Sequence, residues 1–139
     1  MLPDKKIERF IARHHVLTLA TATTEGAPYC CNCFYAYDKA SAAFIFTSDP
    51  ATRHVQMMAE NERVAASIVL ETRIVGKVQG LQITGHAKQA TEADRMTYIK
   101  SFPYAAVADL HLWRLEADFL KLTDNTLGFG KKLIWQRQE

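Results

Sequence analysis

The chain opens on a helical period. Ile7, Phe10, Ile11 and His14 recur three and four residues apart, predicting a short amphipathic helix over 3–14 whose stripe packs into a core. The period then falls to two. Residues 16–23 are rich in β-formers and stop at Glu25-Gly26-Ala27-Pro28; residues 29–37 read as a second strand, and Phe44, Ile45 and Phe46 as a short buried third. Links this short predict an antiparallel meander for the three. Thr47-Ser48-Asp49-Pro50 is turn chemistry, and Pro50 suits the first position of a helix over 50–61, with Thr52 and Arg53 in its first turn.

Farther on, Val64, Ala66, Ile68 and Leu70 mark one face of a fourth strand over 63–71. A fifth spans 74–89, where Gly76, Gly80 and Gly85 signal bulges or close backbone approaches. Thr91 and Asp94 have capping-box spacing and open a helix over 92–101, which Phe102-Pro103 breaks before a short helical or irregular piece over 104–109. Leu112, Arg114, Glu116 and Asp118 alternate with Trp113, Leu115, Ala117 and Phe119 in a sixth strand over 110–122. A loop over 123–130 leads to a last strand over 131–137. The pattern predicts a mainly β protein, an antiparallel Greek-key barrel of six or seven strands with short helices, in which closure removes exposed sheet edges.

Composition narrows the partners. A chain of 139 residues with 23% charged residues reads as one soluble domain, 1–139. A net charge of +2, with no run of five like charges, argues against nucleic acid, and no apolar stretch is long enough to span a bilayer. The start, Met1-Leu2-Pro3-Asp4-Lys5-Lys6, does not read as a signal peptide. Three cysteines crowded into Cys30–Cys33 make no disulfide framework, so a reducing cytoplasm is the expected home.

The candidate chemistry centres on residues 47–53. A helix start carries unpaired N–H groups and the positive end of the dipole, so the hydroxyls of Thr47, Ser48 and Thr52 and the Arg53 guanidinium compose an anion site there. No metal is expected. Cys30 and Cys33 have Cys-x-x-Cys spacing, but odd spacing on a strand sends the thiols to opposite faces, and no second ligand pair follows. Cys31 and Cys33 share a face with Tyr35 and read as small buried hydrophobes. The five histidines show no metal spacing, and no Ser-His-Asp, Cys-His or paired-carboxylate arrangement is legible.

The succession of Thr23-Thr24-Glu25-Gly26-Ala27-Pro28, Phe44-Ile45-Phe46-Thr47-Ser48 and Thr52-Arg53-His54, in this order of elements, resembles the pyridoxamine phosphate oxidase-like flavin-binding split barrels over nearly the whole chain. Residues 121–135, with Trp113-Arg114-Leu115-Glu116, resemble the small bacterial YhbP-like branch. The resemblance implies a homodimer with FMN in two interfacial clefts. The phosphate would lie on Thr47, Thr52 and Arg53 beside Ser48, and the ring along the second strand, at Asn32 and Phe34. The other subunit would add Gln82, Lys132 and Trp135. Better-known members carry further Arg or Lys where this chain has Cys30, Asn32 and Thr52, leaving fewer charges for the phosphate. The substrate-binding residues of the true oxidases are not recognisable, so their activity is not carried over. What is expected is a flavin-dependent oxidoreductase for a small organic substrate or, on the same barrel, a non-catalytic flavin or phosphorylated-metabolite carrier. A haem or deazaflavin binder is the remaining reading; the haem-degrading relative relies on C-terminal features that this chain lacks.

Overall fold

A computed structural model describes residues 1–138. The first helix, α1 (Lys5–Arg13), starts where the Asp4 side chain accepts from the Lys6 amide, and it buries Ile7, Phe10 and Ile11 as the period requires. Strands β1 (Val16–Ala22) and β2 (Pro28–Phe34) form an antiparallel pair from Val16–Phe34 to Ala22–Pro28. The expected single second strand is broken at Tyr35. That ring is turned inward, its hydroxyl donating to the Ile11 carbonyl at 2.6 Å and its amide to His15 at 2.9 Å, so the chain bends and resumes as β3 (Ala36–Asp38).

The three-strand meander is corrected accordingly. Strand β4 (Ala43–Thr47) pairs with β3 on one side and, on the other, with β7 (Leu112–Asp124), not with β2. With β5 (Arg63–Val69), β6 (Gln79–Gln89) and β8 (Lys132–Gln136), the strands form one eight-stranded sheet in the order β2-β1-β5-β6-β7-β4-β3, β8 adding to β7. Strands β2 and β3 end the path at opposite edges, yet one residue joins them. The sheet must therefore curl until its edges approach, and the result is a curled antiparallel half-barrel, mainly β as expected.

The three glycine expectations resolve differently. At Gly85 a Cβ would lie 2.0 Å from the Glu116 carbonyl oxygen, and the β6–β7 register slips there, so that Asp118 has no partner between Ala117 and Phe119. Burial along β7 changes phase at that residue. Gly80 has ordinary room, and Gly76 lies in a short 3-10 turn, Val75–Lys77, where the predicted long strand is interrupted.

Helix α2 (Arg53–Glu60) begins later than Pro50 suggested. Asp49 takes up that stretch: its carboxylate accepts from the Ala51 amide and its carbonyl from the Thr52 amide, leaving Thr52 as the N-cap. Helix α3 (Glu92–Ser101) has both halves of the predicted capping box and covers a small cluster of Ala36, Ile45, Tyr98 and Ala105. The main core joins α1 to the inner face of the sheet through residues such as Leu17, Leu19, Phe44, Phe46, Ile83 and Leu120. No helix of the described residues is long and apolar enough to cross a membrane.

Candidate functional site

The turn between β4 and α2 brings Thr47, Ser48, Thr52 and Arg53 together, as their spacing implied. Their hydroxyls are already engaged. Thr47 Oγ1 donates to the His111 carbonyl and accepts from its amide, fastening β4 to the loop before β7. Ser48 Oγ lies 2.7 Å from His54 Nε2, and Thr52 Oγ1 donates to the Asp49 carbonyl at 2.7 Å. Because the Thr52 side chain turns back, it does not cap its own helix. The amides of Arg53, His54 and Val55 consequently have no acceptor among the described residues, and no acidic side chain occupies the first turn. These amides are the donors that an anion at a helix start requires.

Arg53 adds the charge. Its guanidinium lies over the Tyr29 ring, 4.6 Å from the centroid, and no carboxylate pairs with it among the described residues. Stacking on an aromatic face leaves the edge N–H groups of a guanidinium free for a planar or tetrahedral anion. Tyr29 was missed in the sequence; its place beside Arg53 depends on how β2 packs against α2, which no local pattern encodes.

Cross-strand register fixes which other candidates share a surface. Asn32 stands opposite Thr18, Thr18 opposite Ser67, Ser67 opposite Gln82, Gln82 opposite Lys121, and Lys121 opposite Ile134. Directly paired residues point to the same side of a sheet, so this row lies on the outer face, and Asn32 accepts from the Thr18 hydroxyl at 2.8 Å. Phe34 and Lys132 lie on that face too. Phe34, 58% exposed, borders a cavity of about 980 Å³ between α1, the β2–β3 bend and Phe102.

Trp135 is different. It stands opposite Leu120 in the inner row that also holds Ile83, Ala66, Leu19 and Cys31. It is 6% exposed, and its indole N–H donates to the Met1 carbonyl at 3.0 Å. The expected place at the flavin edge is therefore corrected: the ring packs in its own core.

The inner side of β2 meets the same turn. Cys31 and Cys33 hold their sulfurs 4.0 Å apart, and His54 leans toward them from α2. Burial pushes the Cys33 thiol up to about 12, with further contributions from Cys31, and desolvation lowers the His54 imidazole below its ordinary value. Both groups are thus neutral around pH 7.

Comparison with known proteins gives the family and the fold. Residues 3–122 match the family model of pyridoxamine 5'-phosphate oxidase. The chain is 39% identical over 135 residues to a UPF0306 protein of Photorhabdus laumondii, covering 94% of each. It is 36% identical over 135 residues to the UPF0306 protein YhbP of Escherichia coli, covering 94% of this chain and 96% of the other. Two solved structures share the fold. One is a heme binding protein from Mycobacterium smegmatis (TM-score 0.73, 20% identity, 91% of this chain and 54% of that one). The other is an FAD-binding protein from Mesorhizobium loti (TM-score 0.69, 17% identity, 85% and 90%).

Proposed function

The chain belongs to the pyridoxamine 5'-phosphate oxidase family, in its UPF0306 (YhbP) branch, and on that premise we propose that it binds FMN, with the phosphate on the start of α2. The observation that carries this reading is the set of three first-turn amides without acceptors beside an unpaired, ring-stacked Arg53. A phosphate monoester bears about −1.5 to −2 charges near neutral pH, more than one guanidinium neutralises, so the amides and dipole are needed as well. Thr47, Ser48 and Thr52 supply hydroxyls once their present acceptors give way. Asn32, Phe34, Gln82 and Lys132 line the outer face on which the ring would lie.

A second copy fits the same face. Val16, Phe34, Val69 and Ile134 are large apolar residues left exposed on it, and a homodimer would bury them around two equivalent clefts. The bound flavin would supply the electron-carrying chemistry, in an oxidoreductase acting on a small organic substrate; this chain's side chains bind and orient it. At the turn Ser48 Oγ and His54 Nε2 lie 2.7 Å apart, but no carboxylate among the described residues holds the other ring nitrogen of His54, so the pair lacks the third group of a catalytic triad. That scarcity favours, as the second reading, a flavin or phosphorylated-metabolite carrier.

Absorbance of the purified protein after FMN titration, with mass spectrometry of any co-purified ligand, tests binding. Turnover with NAD(P)H and an electron acceptor separates the two readings. A flavin spectrum with saturable binding is expected; a protein that stays colourless and leaves FMN unbound at micromolar concentrations removes the oxidoreductase and the flavin carrier, leaving only a carrier of another phosphorylated metabolite.

A further inference from the structure

Four polar or charged residues of the described chain are largely buried: Thr21, His54, Asp94 and Asp124. Three have plain structural work. Thr21 donates to the Tyr29 carbonyl, Asp94 closes the α3 capping box and pairs with Arg114, and Asp124 caps the turn at Thr126. His54 has only the Ser48 hydroxyl, and it stands against two thiols. One sulfur each from Cys31 and Cys33 and a ring nitrogen of His54 all lie within 4.8 Å of one another.

We propose that Cys31, Cys33 and His54 form a three-ligand site for a thiophilic divalent cation of the zinc class, with the Ser48 hydroxyl or a water at the fourth position. In a tetrahedral site with Zn–S bonds of about 2.3 Å, two sulfurs stand about 3.8 Å apart. The two thiols are 4.0 Å apart already, so the strand presents them with almost no rearrangement. A sulfur and an imidazole nitrogen on the same ion stand about 3.6 Å apart, which, from a separation within 4.8 Å, asks the His54 ring to close by about 1.2 Å at most. Two ligands come from a β-strand and one from the first turn of α2, elements already packed together, so little order need be created on binding. Two thiolates with an imidazole are the donor set that selects zinc over magnesium or calcium. Sequence spacing concealed the site because it paired Cys30 with Cys33; the pleat instead pairs Cys31 with Cys33 and leaves Cys30 exposed on the opposite face.

The site lies on the inner side of β2 and does not depend on the flavin reading, so the test uses the flavin-free full chain, reduced and stripped with a chelator. Cobalt(II) titration should give one equivalent with a thiolate-to-cobalt charge-transfer band and visible bands of tetrahedral intensity, displaced by zinc. Cys31→Ser, Cys33→Ser and His54→Gln should each weaken zinc by at least about tenfold. Cys30→Ser should leave it unchanged. If Cys33→Ser fails to fold, the half-exposed Cys31 and the His54 variant carry the same test, with melting temperature checked in each. Absence of the charge-transfer band, or its loss in Cys30→Ser, or an unchanged zinc affinity in Cys31→Ser and His54→Gln, would overturn the proposal.

Discussion

Arg53 joins two sides of the site: its guanidinium rests on Tyr29 from β2, and its backbone amide opens α2. Reversing its charge both removes the attraction and sets a carboxylate against the phosphate. Arg53→Glu is expected to weaken FMN at least tenfold, about 1.4 kcal/mol, which exceeds the usual worth of an exposed ion pair; fluorescence titration reads it. Gly85 answers to sterics alone. A methyl group there would overlap the Glu116 carbonyl, so Gly85→Ala should cost about 1–3 kcal/mol or more, read by thermal melting, with the β6–β7 register displaced. Both residues were legible in the sequence, Arg53 from turn grammar and Gly85 as an expected bulge. Trp135 was not. Whether its ring faces in or out depends on its register against Leu120, and a shift of one residue would have reversed the answer.

Among the elements, α3 was the most legible, because its start is written in a four-residue motif. The Thr91 hydroxyl accepts from the Asp94 amide at 3.2 Å, and the Asp94 carboxylate accepts from the Thr91 amide at 2.9 Å. Asp94 also receives Arg114 at 2.8 and 3.1 Å, a pairing that no local pattern announces. Thr91→Ala should therefore cost about 1 kcal/mol, and Asp94→Ala more, about 2–3 kcal/mol, since it also takes the two-oxygen acceptor from the largely buried Arg114 guanidinium, which keeps Glu116 and Ser41; chemical denaturation separates them. Between β6 and β7, Lys88 Nζ lies 3.0 Å from Glu116 Oε1. Burial alone would raise the Glu116 carboxyl, but the hydrogen bond and charge of Lys88, with Arg114 and Arg137, outweigh it and hold the group below its ordinary 4.5. The stabilisation is then complete above about pH 4.5 and is lost as pH falls through the lower folded value. Glu116→Gln should flatten that acid limb of the melting curve by under about 1 kcal/mol, the pair being partly exposed. The break between β2 and β3 stayed hidden because Tyr35 bends the chain through a long-range bond to α1.

For the whole molecule, alternation revealed the class and most strands but not their order. Apolar strands 43–47 and 63–69 pair with any neighbour on pattern alone; that β4 joins β7 and β1 joins β5 follows from how the sheet curls. The same curl leaves Asn32, Gln82 and Lys132 on one outer face, the face proposed for a second copy. Sedimentation at micromolar concentration is expected to show a dimer, and Ile134→Glu to shift it toward monomer. The central claim, that a phosphate is anchored at the start of α2, is tested most directly by comparing FMN with riboflavin, which lacks only that phosphate. FMN should bind at least about a hundredfold more tightly than riboflavin, some 2.7 kcal/mol, and Arg53→Glu should erase most of the difference. Equal affinity for the two flavins, or a preference for FMN that survives Arg53→Glu intact, would contradict it.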